Sequence, residues 1–104
     1  MSSETQFDLS AKSLAVRGEL TIFSVQEIQQ QLLHSLEVVD TLYVDLGEVA
    51  EIDTAGLQLM LLAKGMPGKT VAFANHSEAI LRLIDLANLA HKLGATPNIQ
   101  AKTI

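Results

Sequence analysis

Residues 42–64 read LYVDLGEVAEIDTAGLQLMLLAK, and they constrain the fold more than any other stretch. The stretch is preceded by Thr41 and opens on Leu42-Tyr43-Val44-Asp45-Leu46, an apolar run with β-branched and aromatic residues. That pattern predicts a buried strand over Thr41–Leu46. Its last part, Thr54 to Lys64, is rich in good helix formers and has no β-branched residue after Thr54, so it predicts a helix. Asp53 stands at the N-cap, where its carboxylate can accept a hydrogen bond from the N–H of Ala55 or Gly56. Gly47-Glu48-Val49-Ala50-Glu51-Ile52, between strand and helix, reads as an acidic loop. Thr54 falls at the first helical position, its hydroxyl beside the unpaired N–H groups of the first turn.

The other elements follow from period and punctuation. Met1 to Gln6 is polar and expected to fray. Phe7 and Leu9, then Leu14 and Val16, alternate with other residues on either side of Ser10-Ala11-Lys12-Ser13, which predicts an antiparallel hairpin. Gly18 is expected to end its second strand. Ser24-Val25-Gln26-Glu27 reads as a capping box. After it, Ile28, Leu32, Leu33 and Leu36 form one apolar stripe of a helix over about Val25 to Leu36, with Gln29, Gln30 and His34 on the other side. This helix joins two strands expected to be parallel through a right-handed crossover. Gly65-Met66-Pro67-Gly68 reads as a turn, Thr70 to Ala74 as a strand, and Asn75-His76-Ser77-Glu78 as the cap of a third helix. Ile80, Leu83, Ile84 and Ala87 line that helix, and Leu81 widens its stripe. Asn88 should end it, Leu89 to Leu93 could add a short turn before Gly94, and Pro97 to Ile104 is either a weak edge strand or a tail. The expected core is Ile28, Leu32, Val44, Leu46, Leu57, Leu61, Val71, Phe73, Ile80 and Ile84.

Length and composition bound the function. A chain of 104 residues, 48% apolar, has room for one domain over residues 1–104 and one modest core. No apolar run approaches the roughly 20 residues of a membrane span, and the N-terminus lacks the basic and apolar regions of a signal peptide. With no cysteine, disulfides and thiolate sites are excluded. These features fit a cytoplasmic protein. A net charge of −5 argues against a nucleic-acid partner and permits an electropositive protein partner.

Catalytic chemistry is thin. His34, His76 and His91 lie on separate elements without ligand spacing, His34 on a solvated helix face and His76 in a capping loop. Asp45, Glu48, Glu51 and Asp53 lack the glycine-spaced frame of a calcium loop and read as a solvated acidic rim. Ala63-Lys64-Gly65-Met66-Pro67-Gly68-Lys69-Thr70 fits a loose phosphate-loop pattern. Its context is inverted, since it follows a helix and opens a strand, and Pro67 removes an N–H the cradle would use. No catalytic group, metal or cofactor is expected, and nucleotide hydrolysis is not.

Asp45-Leu46-Gly47-Glu48-Val49-Ala50-Glu51-Ile52-Asp53-Thr54-Ala55-Gly56-Leu57 resembles the signature of STAS domains, the family of anti-sigma-factor antagonists. Gly18-Glu19-Leu20-Thr21 resembles the turn such domains carry after their second strand. The likeness implies an α/β fold: a mixed four- to five-stranded sheet with packed helices, in the order strand, strand, helix, strand, helix, strand, helix, plus a short C-terminal element. It implies a non-catalytic regulatory module whose partner is an anti-sigma-type serine/threonine kinase or related signalling protein. By the same likeness Thr54 is the phosphorylation site, where many members carry serine. The implied partner surface is Asp53, Thr54, Ala55, Gly56, Glu51, Glu48 and Thr21, on a monomer or weak dimer. Leu20-Thr21-Ile22 and Asp53 to Leu59 are most similar to stand-alone members accompanying bacterial chemotaxis-type systems. The alternative is a STAS subunit of a bacterial lipid-transport ABC complex, in which Thr54 is a contact residue. Capping alone also accounts for Asp53-Thr54.

Overall fold

A computed structural model describes residues 3–87. The elements are β1 (Glu4–Asp8), β2 (Ser13–Leu20), α1 (Val25–Val38), β3 (Thr41–Ile52), α2 (Thr54–Lys64), β4 (Thr70–Ala74) and α3 (Glu78–Ala87). This is the expected order. The strands form one mixed sheet, β1-β2-β3-β4, in which β1 and β2 are antiparallel and the pairs β2–β3 and β3–β4 parallel. The expectations for Asn88 to Ile104, His91 included, lie outside the described residues.

The main correction concerns the acidic segment. Gly47 to Ile52 is not a loop: β3 runs unbroken to Ile52 and pairs with β2 as far as Leu20. From the Leu14–Val44 pair to the Leu20–Ile52 pair, β3 uses two residues more than β2, and the register shifts twice. Each shift is a bulge that lets one extra residue through without ending the ladder. Buried positions on β3 therefore fall at Leu42, Val44, Leu46 and Val49, with Ile52 half-buried. The spacing changes from two to three where the bulges lie, so the strict alternation of a strand is lost there. Gly18 does not end β2 either. It sits inside the strand at the second bulge with φ +87°, a backbone angle that other residues rarely adopt.

Smaller departures have local causes. Residues 4–6, expected to fray, pair with Ala15 to Arg17. The β1–β2 turn begins at Leu9, which is exposed, because the Asp8 carboxylate accepts the N–H of Ala11 at 3.2 Å and closes the chain early. Leu33 lies 41% exposed at the rim of the α1 stripe, while Ile28, Leu32 and Leu36 are buried. In α2 the buried residues are Gly56, Leu57, Leu59, Met60 and Ala63, and Leu61 is only half-buried. At 3.6 residues per turn, Gly56 and Ala63 lie near the middle of that face. The helix thus approaches the sheet through its small residues, with leucines at the edges.

The rest of the expected core is buried, and it joins Leu14, Val16 and Leu20 of β2 in one cluster. The Pro67-Gly68 turn closes through Lys69 N–H to the Met66 carbonyl at 3.4 Å, and the Lys69 ammonium pairs with Asp40 at 3.0 Å. This segment links α2 to β4, the inverse of a phosphate-loop context. Among the described residues no helix is long and apolar enough to cross a membrane.

Gly56 carries the tightest contact between α2 and the sheet. A Cβ added there would collide with the Leu20 carbonyl oxygen and stand 2.9 Å from Leu20 Cγ and 3.0 Å from Ile52 Cγ1. Gly56→Ala gains about 1 kcal/mol of helix propensity. Against this, backbone has to shift, and overpacking costs about 1–3 kcal/mol. A lowered thermal midpoint is expected; an unchanged or raised one would contradict the packing.

His76 lies in the capping loop expected, and its side chain is buried there. Asn75 turns the chain at φ +56°, Ser77 accepts the N–H of Ile80 at 3.4 Å to start α3, and His76 points inward at 6% exposure. Neither ring nitrogen has a hydrogen-bond partner among the described residues. Burial, helped by the positive charge of Lys64, lowers its pKa from 6.5 to about 4. The folded chain therefore keeps the imidazole neutral where the unfolded chain binds a proton. Stability should fall as pH drops from 6.5 to about 4, with no further loss from this group below that. Urea unfolding of wild type and His76→Phe across this range measures it. The variant should lose less stability with acid, and parallel profiles would contradict the assignment.

Candidate functional site

The C-terminal ends of β2 and β3 lie side by side, with Leu20 paired to Ile52. Each strand leads within a few residues into a helix, β2 into α1 and β3 into α2. Two helix N-termini and the loop Thr21–Ser24 therefore meet at one end of the sheet, and Asp53 joins them.

Asp53 takes an extended backbone and caps α2 as expected, with Oδ1 accepting the Gly56 N–H at 3.1 Å. Its second oxygen does something the sequence did not foretell: Oδ2 accepts the N–H of Ile22, 31 residues away, at 3.0 Å. The Asp53 N–H reaches the Leu20 carbonyl at 3.4 Å. One residue thus holds the start of α2, the end of β2 and the loop before α1.

That loop is tied from within as well. Ser24 Oγ accepts the Thr21 N–H at 3.0 Å and donates to the Glu19 carbonyl at 2.9 Å. Its hydroxyl is thereby engaged, and the expected capping box does not form: Ser24 makes no side-chain cap on α1. Thr21 Oγ1 donates to Glu19 Oε1 at 3.2 Å and accepts the Phe23 N–H at 3.3 Å. Thr21 is 4% exposed, so it shapes the loop from inside and does not offer a contact surface.

The exposed residues are the next two. Ile22 is 63% exposed and Phe23 91%. Together they put two large apolar side chains in solvent on a loop held by several hydrogen bonds. Phe23 escaped the sequence reading because it belongs to no periodic stripe. Its one signal was position: two large apolar residues between a strand and a helix cap.

Thr54 begins α2 and is exposed, and its hydroxyl has no hydrogen-bond partner among the described residues. Ala55 is half-buried and Gly56 fully so; the small residues serve packing and leave Thr54 alone at the surface. Glu51 is exposed and faces Glu19 across the ladder. Glu48 is exposed farther back on β3, where it pairs with Arg17 at 3.5 Å. The structure therefore gathers Asp53, Thr54 and Glu51 with Ile22 and Phe23, sets Glu48 at the margin, and turns Thr21 and Gly56 inward. No group of three or more His, Asp or Glu fit for a metal occurs among the described residues. His34 lies exposed beside Glu37 on α1, remote from this end.

A family model described as "Mlab, STAS domain" matches residues 3–95. No curated protein is a sequence match. Among solved structures, the fold is similar to that of the anti-sigma factor antagonist SpoIIAA in its unphosphorylated form. The TM-score is 0.61 at 16% identity, over 85% of this chain and 82% of that one. With the family model spanning nearly the whole chain and the fold in agreement, the chain belongs to the STAS domain family.

Proposed function

We propose that this STAS domain binds a kinase or anti-sigma-type protein through Asp53, Thr54, Ala55 and Glu51 together with Ile22 and Phe23, and that phosphorylation of Thr54 releases the partner. The observation that carries the reading is the pairing of an unpartnered, exposed Thr54 hydroxyl with an exposed Phe23 on a tied loop. Phe23 and Ile22 supply apolar anchors of the kind that dominate binding energy. The acidic side chains around them favour a partner surface with cationic residues beside an apolar pocket.

In the switching step Thr54 Oγ1 attacks the γ-phosphorus of a nucleoside triphosphate held by the kinase. The bond to the diphosphate breaks, and the hydroxyl proton passes to a base of the kinase. The product carries about 1.5 to 2 additional negative charges. First-turn N–H groups and the helix dipole offset this by about 0.3–1 kcal/mol. Repulsion from Asp53 is of order 3 kcal/mol for charges about 6 Å apart at an effective dielectric of 20. Water relieves that repulsion while the domain is free, and a docked partner excludes the water. The fold survives and the complex is lost.

The description of the matching family as Mlab favours a second reading, in which the domain is a non-catalytic subunit of a lipid-transport ABC complex and Thr54 is a contact residue. Chemotaxis-type signalling and a cytoplasmic setting belong to the first reading. Titration of the purified domain against the co-encoded kinase, or the co-encoded transporter ATPase, separates them. In the first case wild type and Thr54→Ala should bind alike, while phosphorylated protein and Thr54→Glu bind tenfold or more weakly. Equal binding by wild type, Thr54→Ala and phosphorylated protein would overturn the switch. In either case Phe23→Asp should weaken binding at least tenfold, about 1.4 kcal/mol, without lowering the unfolding midpoint, since Phe23 has little contact to lose.

A further inference from the structure

The proposed switch has a phosphate acting beside the residue that holds the loop. Asp53 uses both carboxylate oxygens, one on Gly56 N–H at 3.1 Å and one on Ile22 N–H at 3.0 Å. The second bond is the only hydrogen bond from the α2 start to the exposed part of the β2–α1 loop among the described residues. The loop's other ties run within the loop and to Glu19, the Phe23 N–H to Thr21 Oγ1 among them, and leave the Ile22 amide to Asp53. Phe23, the most exposed large apolar residue described, follows Ile22 directly.

Resting on the phosphorylation reading above, we propose that Asp53 couples the charge on Thr54 to the position of the Ile22–Phe23 loop. The two charges are on adjacent residues and repel. The N–H groups of Thr54 and Ala55 have no partner among the described residues, and a phosphate on Thr54 Oγ1 is a stronger acceptor for the first turn than a carboxylate. The phosphate takes over the cap, the Asp53 carboxylate turns to solvent, and the Ile22 N–H loses its acceptor. The docking loop then loses its tie to α2 and keeps only its other bonds, so phosphorylation loosens the placement of the partner's apolar anchor as well as adding repulsion. The core does not move, because the face of α2 bearing Leu57, Leu59 and Met60 is buried.

The test needs no partner. Amide hydrogen exchange is read by NMR on the full chain with Thr54 unmodified and with phosphothreonine built in at position 54. Exchange at Ile22 should rise tenfold or more on phosphorylation, with Gly56 still protected and the amides of Leu42 and Val44 unchanged. Asp53→Ala in the unmodified protein should raise Ile22 exchange by a similar factor. Should that variant fail to fold, Asp53→Asn, with one carbonyl acceptor in place of two carboxylate oxygens, should raise it in the same direction. Unchanged Ile22 exchange on phosphorylation, or on loss of the carboxylate, overturns the coupling. A rise shared by Leu42 and Val44 overturns it too, as general loosening. Partner affinity is measured separately, so a rigid loop with phosphorylation-sensitive binding would remove this inference and leave the proposed switch standing.

Discussion

The parallel ladder between β2 and β3 is the constraint on which the rest depends. It is the longest pairing in the sheet, and it stays in step only because two bulges absorb the two extra residues of β3. Had β3 ended at Leu46, residues 47–52 would have left Thr54 on a free loop of arbitrary direction. Because the ladder continues to Ile52, the next residue is fixed against Leu20, and the helix that follows starts at a defined point. Position and direction of the candidate switch are thus inherited from sheet hydrogen bonds.

Close approach completes the arrangement. Gly56 brings α2 onto the end of β2, and Asp53 closes the remaining gap with two charge-assisted hydrogen bonds. The order of events is physical: the glycine permits contact, the contact brings the carboxylate within reach of the Ile22 amide, and that bond orders the loop. The exposed apolar pair is therefore held out by backbone restraints, against the ordinary tendency of such residues to fold inward.

Much of this was legible in the sequence, and what was not has identifiable causes. Helices and strands with a steady period, such as α1 and β4, were read at nearly their full extent. The cap at Asp53 was read because its chemistry is local. The acidic end of β3 was misread because bulges change the spacing of buried residues from two to three, which no longer looks like a strand. The buried face of α2 was misplaced toward Leu61 because hydrophobicity draws attention to leucines, whereas packing there centres on Gly56 and Ala63. Ser24 reads as a cap by residue type, and tertiary contacts engage its hydroxyl elsewhere; nothing local in the capping loop announces that His76 is buried. The bond from Asp53 to Ile22 was invisible in principle, since it spans 31 residues and obeys no local pattern.

The side chains of Ile22 and Phe23 contribute little to the support of the loop that carries them. Its backbone is fixed by Ser24, Thr21 and Asp53, and the two exposed side chains project from it without burying into the core. Substitutions at these two positions are accordingly close to neutral for folding, and under the proposed binding mode they fall on contact alone. Under that mode a lineage of such domains could change allegiance between partners by altering two residues, with the scaffold and the hydroxyl at position 54 untouched.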